Sequence, residues 1–316
     1  MPKGKFDFTG DDFDFAAYAS GNGNSGFGQG HPRGLDLKPE LPQTTHELVG
    51  IDLTHRIDMS EVASAVGGGG GGAVGAKPGG GGGTSFPNYT AGPANGAAGY
   101  NIVIEFKGTS WTQAHYDVFV AAADRLVNLI IGEIPNVTVV GKGGQKVVDD
   151  ILITAELGNI DGSGGVLGQA GPTAVRTAGS LPATAQMKFD IVDVNAMGLA
   201  VFAEVVLHEM AHSLGFGSIW SRLGLVTNGL FTGELAVDEY HDMGGTLSGI
   251  PVEQDGGSGT AGSHWDEETF HNELMTGYID AGENYFTAMS AASFADLGYV
   301  ITANYEAWAD PGYIFV

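Results

Sequence analysis

Cysteine is absent from this 316-residue chain, which excludes disulfide bridges, thiolate metal sites and thiol-based control of a bound metal. Basic residues are scarce: 13 Lys and Arg stand against 37 Asp and Glu, a net charge of −24. A surface so acidic repels phosphate backbones and anionic bilayers, so nucleic acid is not an expected partner. No apolar run approaches the roughly 20 residues needed to span a bilayer, so membrane insertion is not expected either. The opening Met1-Pro-Lys-Gly-Lys-Phe-Asp-Phe has basic residues but no apolar stretch behind them, unlike a conventional signal peptide. What is present, a 43% hydrophobic composition, is enough to bury a sizeable core in one large domain or two small ones.

Glycine is abundant and unevenly placed. Runs at Gly67–Gly72 and Gly79–Gly83 follow a Gly- and Asn-rich stretch at Gly21–Gly30 and an acidic-aromatic opening. Such tracts cannot bury enough apolar surface to offset their ordering entropy, so residues 1–98 are expected to be a flexible arm. A short helix over His46–Val66 would interrupt it. The arm is either a pro-segment covering a site downstream or a plain spacer.

From Tyr100 the texture changes. Ile102, Ile104 and Phe106 alternate as in a strand, and Ser110 is placed to cap a helix from about Trp111 to Ile131. Val137–Val140 and Val147–Thr154 read as strands turning at Gly143-Gly144, and Ala185–Ile191 as another. The tract from Asn195 to Leu214 is rich in Ala, Leu and Met, lacks Pro, and repeats apolar residues at helical spacing. This order predicts an α+β fold, a mixed sheet with helices packed on it.

That last helix ends in His208-Glu-Met-Ala-His212-Ser-Leu-Gly215-Phe216. Histidines at i and i+4 share one helix face and can reach one metal ion, and Glu209 sits where it can take a proton from metal-bound water. A bare HExxH arises by chance in ~1% of chains this long, so its surroundings must decide. Gly215 is a natural left-handed cap, after which the chain should turn sharply.

A hydrolytic zinc site usually takes three protein ligands. The third is placed at His264, in His264-Trp265, upstream of Glu273-Leu274-Met275. With His208, Glu209, His212, Gly215 and Phe216, these elements resemble the leishmanolysin (M8-type) family of metzincin metallopeptidases. There, a long insertion separates HExxHxxGF from a His-Trp pair and a Glu-Leu-Met segment. Tyr285–Tyr299 also looks like the helix that follows in that family, so the resemblance runs from about residue 100 to about 305. It implies zinc held by His208, His212 and His264, Glu209 as general base, and Met275 as the methionine beneath the metal. It further implies a metzincin-like zincin fold, with a catalytic subdomain over 99–216 and a mainly helical or irregular C-terminal subdomain over 217–316. The implied activity is zinc-dependent endoproteolysis of proteins or peptides, by a short, cysteine-free, bacterial-like member. Cysteine-based latency is impossible here, so any pro-segment would have to inhibit through another ligand.

Other readings stay beside this one. Glu234-Leu-Ala-Val-Asp238 has the ExxxD form that supplies a glutamate ligand in thermolysin-like enzymes, although Gly215 breaks the helix that those enzymes continue. A zinc-containing surface or adhesion protein without peptidase activity is the alternative from another class. Gly168, Gln169 and Ala170 are candidate substrate-binding residues, because in metzincins an edge strand beside the cleft occupies a similar place and pairs with the peptide main chain. His271 and His241 read first as exposed histidines. Asp161–Gly165 and the pair Asp190 and Asp193 are candidate structural Ca²⁺ ligands, set against an ordinary Gly-rich turn. The ending Asp310-Pro-Gly-Tyr-Ile-Phe-Val316 resembles the C-terminal export signals of serralysin-type proteases, which makes a secreted, extracellular protein the expectation.

Overall fold

The computed structural model describes residues 85–93, 98–141, 144–162, 166–255, 259–280 and 282–315. The expected helix over His46–Val66, the glycine runs and hence the pro-segment reading lie outside the described residues. The sheet begins inside the stretch expected to be arm: β1 (Tyr89–Ala91) pairs antiparallel with β2 (Ile102–Lys107).

A five-stranded mixed sheet runs in the order β1-β2-β5-β7-β6. Here β5 is Ile151–Gly158, β6 Gly168–Val175 and β7 Pro182–Asp190. The central pairs β2–β5 and β5–β7 are parallel, while β6 is antiparallel to β7 and forms the edge. Register puts Ile104, Ile153 and Ala185 in one row and Phe106, Ala155 and Met187 in another, all buried. Period-2 side chains thus give the sheet one continuous apolar face.

A long amphipathic helix, α1 (Gln113–Leu129), packs with the metal-motif helix described below. Its cap is Thr112, whose hydroxyl accepts the His115 N–H, and not the expected Ser110. Trp111 precedes the cap, and its indole N–H donates to the Lys107 carbonyl at the end of β2. The expected strand over Val147–Thr154 is two strands. β3 (Val137–Gly141) and β4 (Gly144–Val148) form a hairpin, and β5 begins only at Ile151. Buried Asp150 makes the break, accepting N–H bonds from Asn101 at 2.7 Å and Ile134 at 3.0 Å. Val137, Val139 and Val148 lay the hairpin against Val103 and Leu152, on the face opposite the main core.

β7 leads straight into α2 (Ile191–Met197), and after Gly198 into α3 (Leu199–Ser213). The sequence predicts one unbroken helix from Asn195. Gly198, at φ +81°, interrupts it and re-aims the chain so that α3 lies along β6 and β7. Phe119 of α1, Phe189 of β7 and Phe202 of α3 meet there, with Phe189 5.5 Å from each of the other two rings.

Beyond residue 216 regular structure thins. Three two-residue strands make a small sheet, and two helices, α4 (Glu234–Asp242) and α5 (Ala288–Asp296), pack on each other. Asp296 at the end of α5 accepts the Leu235 and Ala236 N–H groups, capping α4 from across the fold. The C-terminal tail is docked: the Tyr313 hydroxyl donates to the Phe270 carbonyl, and Phe315 packs on Phe270 and Tyr240. Among the described residues no helix is long and apolar enough to cross a membrane.

Candidate metal centre

α3 is buried from Phe202 to Ser213, and its 3.6-residue period brings His208 and His212 to one side. At its end Gly215 takes φ +111°, the Phe216 N–H bonds the Ala211 carbonyl and the Gly215 N–H bonds that of His212. These are the paired bonds of a Schellman cap, and they stop the helix one turn beyond the second histidine. Next comes Gly217 at φ +64°, where a Cβ would stand 2.0 Å from the Ser263 carbonyl oxygen. Only glycine lets the post-helix turn come this close to the strand-like segment that holds His264.

That segment lies between two others. The Glu253 N–H donates to the His264 carbonyl, and the Trp265 N–H donates to that of Met275. Trp265 is fully buried, stacked on Trp220 at 4.8 Å and edge-on to Phe216 and Phe231. This aromatic cluster clamps the segment onto the turn after α3.

His208, His212 and His264 all reach zero exposure, and their Nε2 atoms converge. The separations are 2.8 Å between His212 and His208, 3.0 Å between His212 and His264, and 3.3 Å between His264 and His208. The other ring nitrogens are engaged with oxygen acceptors. Nδ1 of His208 donates to the Leu274 carbonyl at 2.7 Å, that of His212 to Phe216 at 2.9 Å and that of His264 to Thr260 at 3.0 Å. With the proton on Nδ1, each Nε2 presents a lone pair. Three lone pairs facing one another in a buried pocket repel unless a cation lies among them. The donor set therefore fits a divalent ion that accepts imidazole nitrogen, and zinc is such an ion. Burial drives the His208 ring down to about 4, against the smaller opposing effect of the Leu274 carbonyl, so the imidazole is neutral near pH 7.

Glu209 is also fully buried, and neither carboxylate oxygen has a hydrogen-bond partner among the described residues. Burial pushes its carboxyl well above the usual range. Met275 is fully buried beside the His264 segment. Glu234, the thermolysin-like candidate, is exposed at the start of α4 and does not join the histidines. His241 is exposed and bonds the Leu247 carbonyl, and exposed His271 closes a helical turn at φ +51°.

The Ca²⁺ candidates gain no support. Asp161 accepts the Val166 N–H, closing its own loop. Asp190 accepts four backbone N–H groups, from Ile160, Asp161, Gly162 and Val192. The rest of the Gly-rich turn, 163–165, lies outside the described residues. Gly168, Gln169 and Ala170 open β6, the sheet edge, on a strand that packs against α3.

Sequence reasoning missed several residues that shape this centre. Gly217 is one, and its signal was no more than a second glycine close behind the cap. Ser263 is another, bonded to Nδ1 of His264 at 2.9 Å. Glu204 is a third: one turn before His208, it accepts the Asn284 side-chain N–H at 2.9 Å and so holds the loop after Met275 against α3. No local pattern announces such pairs.

Comparison with known proteins gives a partial match. Residues 232–309 match the sequence model of the leishmanolysin (peptidase M8) family, a stretch holding His264, Trp265 and Met275 but not the HExxH helix. The chain is similar to leishmanolysin of Leishmania donovani, 34% identical over 109 residues, 30% of this chain and 18% of that protein. It is similar to leishmanolysin of Leishmania major, 37% identical over 109 residues with the same coverage. A leishmanolysin homolog of Crithidia fasciculata is 32% identical over 120 residues, 34% of this chain and 18% of that protein. Each match thus spans less than a fifth of the relative's length.

Proposed function

Proceeding from a chain that is leishmanolysin-like, we propose that it is a zinc-dependent endopeptidase with a metzincin-like site. The observation that carries this reading is the convergence of three buried Nε2 atoms, each turned inward by an Nδ1 bond to oxygen, two of them from the helix that also bears Glu209. His208, His212 and His264 would hold the ion. Zinc bound there supplies Lewis acidity, acidifying a water and polarising the scissile carbonyl.

The remaining work falls to the chain's own residues. Glu209 takes the proton of the attacking water at its carboxylate and returns it to the departing amine. Its two oxygens are free for this role because no other group among the described residues engages them. Met275 has no proton or charge to offer and serves as an apolar floor to the centre. Gly168, Gln169 and Ala170 lend the main chain of the β6 edge to an extended peptide, which adds to the sheet as a strand. Substrates are proteins or peptides, and a secreted location fits this activity.

The test measures zinc stoichiometry and casein hydrolysis for the wild type, His264→Ala and Glu234→Ala side by side. Loss of metal and activity in His264→Ala alone supports the three-histidine centre. Loss in Glu234→Ala alone would sink it. A zinc-loaded wild type that cleaves nothing would favour the binding-protein reading.

A further inference from the structure

Two residues before Met275 lies a fully buried carboxylate that the proposed chemistry does not use, Glu273. Its Oε2 accepts the Met275 N–H, and its Oε1 accepts the Thr287 N–H at 3.2 Å, the Thr287 hydroxyl at 2.9 Å and the Ser290 hydroxyl. The Ser290 oxygen in turn accepts the Trp265 indole N–H at 2.8 Å. Leu274, between Glu273 and Met275, donates its N–H to the Tyr285 carbonyl and offers its own carbonyl to His208 Nδ1.

We propose that Glu273 is a positioning residue for the metal centre, fixing both the carbonyl that aims His208 and the segment that carries His264. This rests on the zinc-site reading above. The Met275 N–H bond closes a tight turn around Leu274, so the Leu274 carbonyl points where Glu273 holds it. Through Ser290 the same carboxylate reaches Trp265, the neighbour of His264. A purely structural role in capping α5 does not account for it, because the Thr287 hydroxyl already caps that helix through the Ser290 N–H. Four donors converge on Glu273, and the two oxygens of a carboxyl group supply the acceptor capacity to take them all. Burying it is costly: desolvation lifts the carboxyl to about 7 against the lowering effect of those donors. An apolar side chain would have filled the space without that cost.

The test compares the wild type, Glu273→Gln and Ser290→Ala as full chains. Glutamine keeps one acceptor oxygen but sets an NH₂ group against a donor, so one end of the bridge breaks. We expect zinc affinity, read by chelator competition, to fall about 10–100-fold in Glu273→Gln, and by less in Ser290→Ala. The metal-free forms should keep the wild-type near-ultraviolet circular dichroism. Cobalt-substituted Ser290→Ala should also show shifted d–d bands, which a role in fold stability alone would not move. A folded Glu273→Gln that holds zinc as tightly as the wild type overturns the inference. Where Glu273→Gln does not fold, Ser290→Ala decides, and unchanged affinity with unchanged bands overturns it. A wild type that takes up neither zinc nor cobalt overturns the metal reading itself, a distinct result.

Discussion

Asp190 and Glu209 both lie on the segment that runs from β7 into α3, and both carboxylates are fully buried. They are solvated in opposite ways. Asp190 closes β7, caps α2 through the Val192 N–H and gathers three more backbone N–H groups from the 160–162 loop. Burial alone would raise its carboxyl, but these four donors outweigh it and hold the group at about 2. Glu209 receives no donor among the described residues. A buried carboxylate wrapped in N–H groups is a structural joint, whereas one left bare is a standing cost that stability does not explain. Glu273 stands between them, with backbone and hydroxyl donors that only partly offset its burial.

Substitution should separate these roles. Glu209→Ala is expected to keep zinc and fold while peptidase activity falls by about 10²–10⁴-fold or more, read as casein turnover per bound zinc. Retained turnover in the zinc-loaded variant would erase the contrast. Asp190→Ala should do the reverse, costing about 3 kcal/mol in urea unfolding by stranding buried N–H groups, with turnover per folded molecule preserved. Equal stability losses in the two variants would show that the donor shells do not matter.

Smaller effects lie in the pH dependence. Glu273 has a folded-state value of about 7, above its ordinary 4.5. Its contribution is therefore full below about 4.5 and is lost as pH rises through 7. The metal-free wild type should lose stability across that window relative to Glu273→Gln, and parallel curves would refute the assignment. Asp190 has the opposite sign. With a folded value of about 2 against 3.8, its stabilisation is complete above 3.8 and fades as pH falls through 2. Asp190→Asn should flatten the acid limb there.

The HExxH helix was legible because its signals are local: a 3.6-residue apolar stripe, two histidines one turn apart and a glycine at the cap position. The central strands were legible from alternation. The break at Gly198 was not, since one glycine in an Ala- and Leu-rich tract reads as a tolerated helix residue. It is the docking of α3 on β6 and β7 that demands φ +81° there. The split at Asp149-Asp150 escaped for the same reason, because the donors that bury Asp150 come from Asn101 and Ile134. His264 was legible only through its likeness to a known family. The spacing from His212 to His264 is not periodic, and Gly217 brings the two together by a contact with Ser263 that no window of sequence contains.

The edge strand β6 carries Pro172, and its register against β7 slips between Pro172 and Val175. Proline removes a main-chain donor and the bulge twists the strand away from flatness. Only the stretch from Gly168 to Pro172 keeps its pairing with β7 in unbroken register. A second copy of the chain finds no long, straight template there on which to continue the sheet. The irregularity thus guards this end of the sheet against fibre-like self-association.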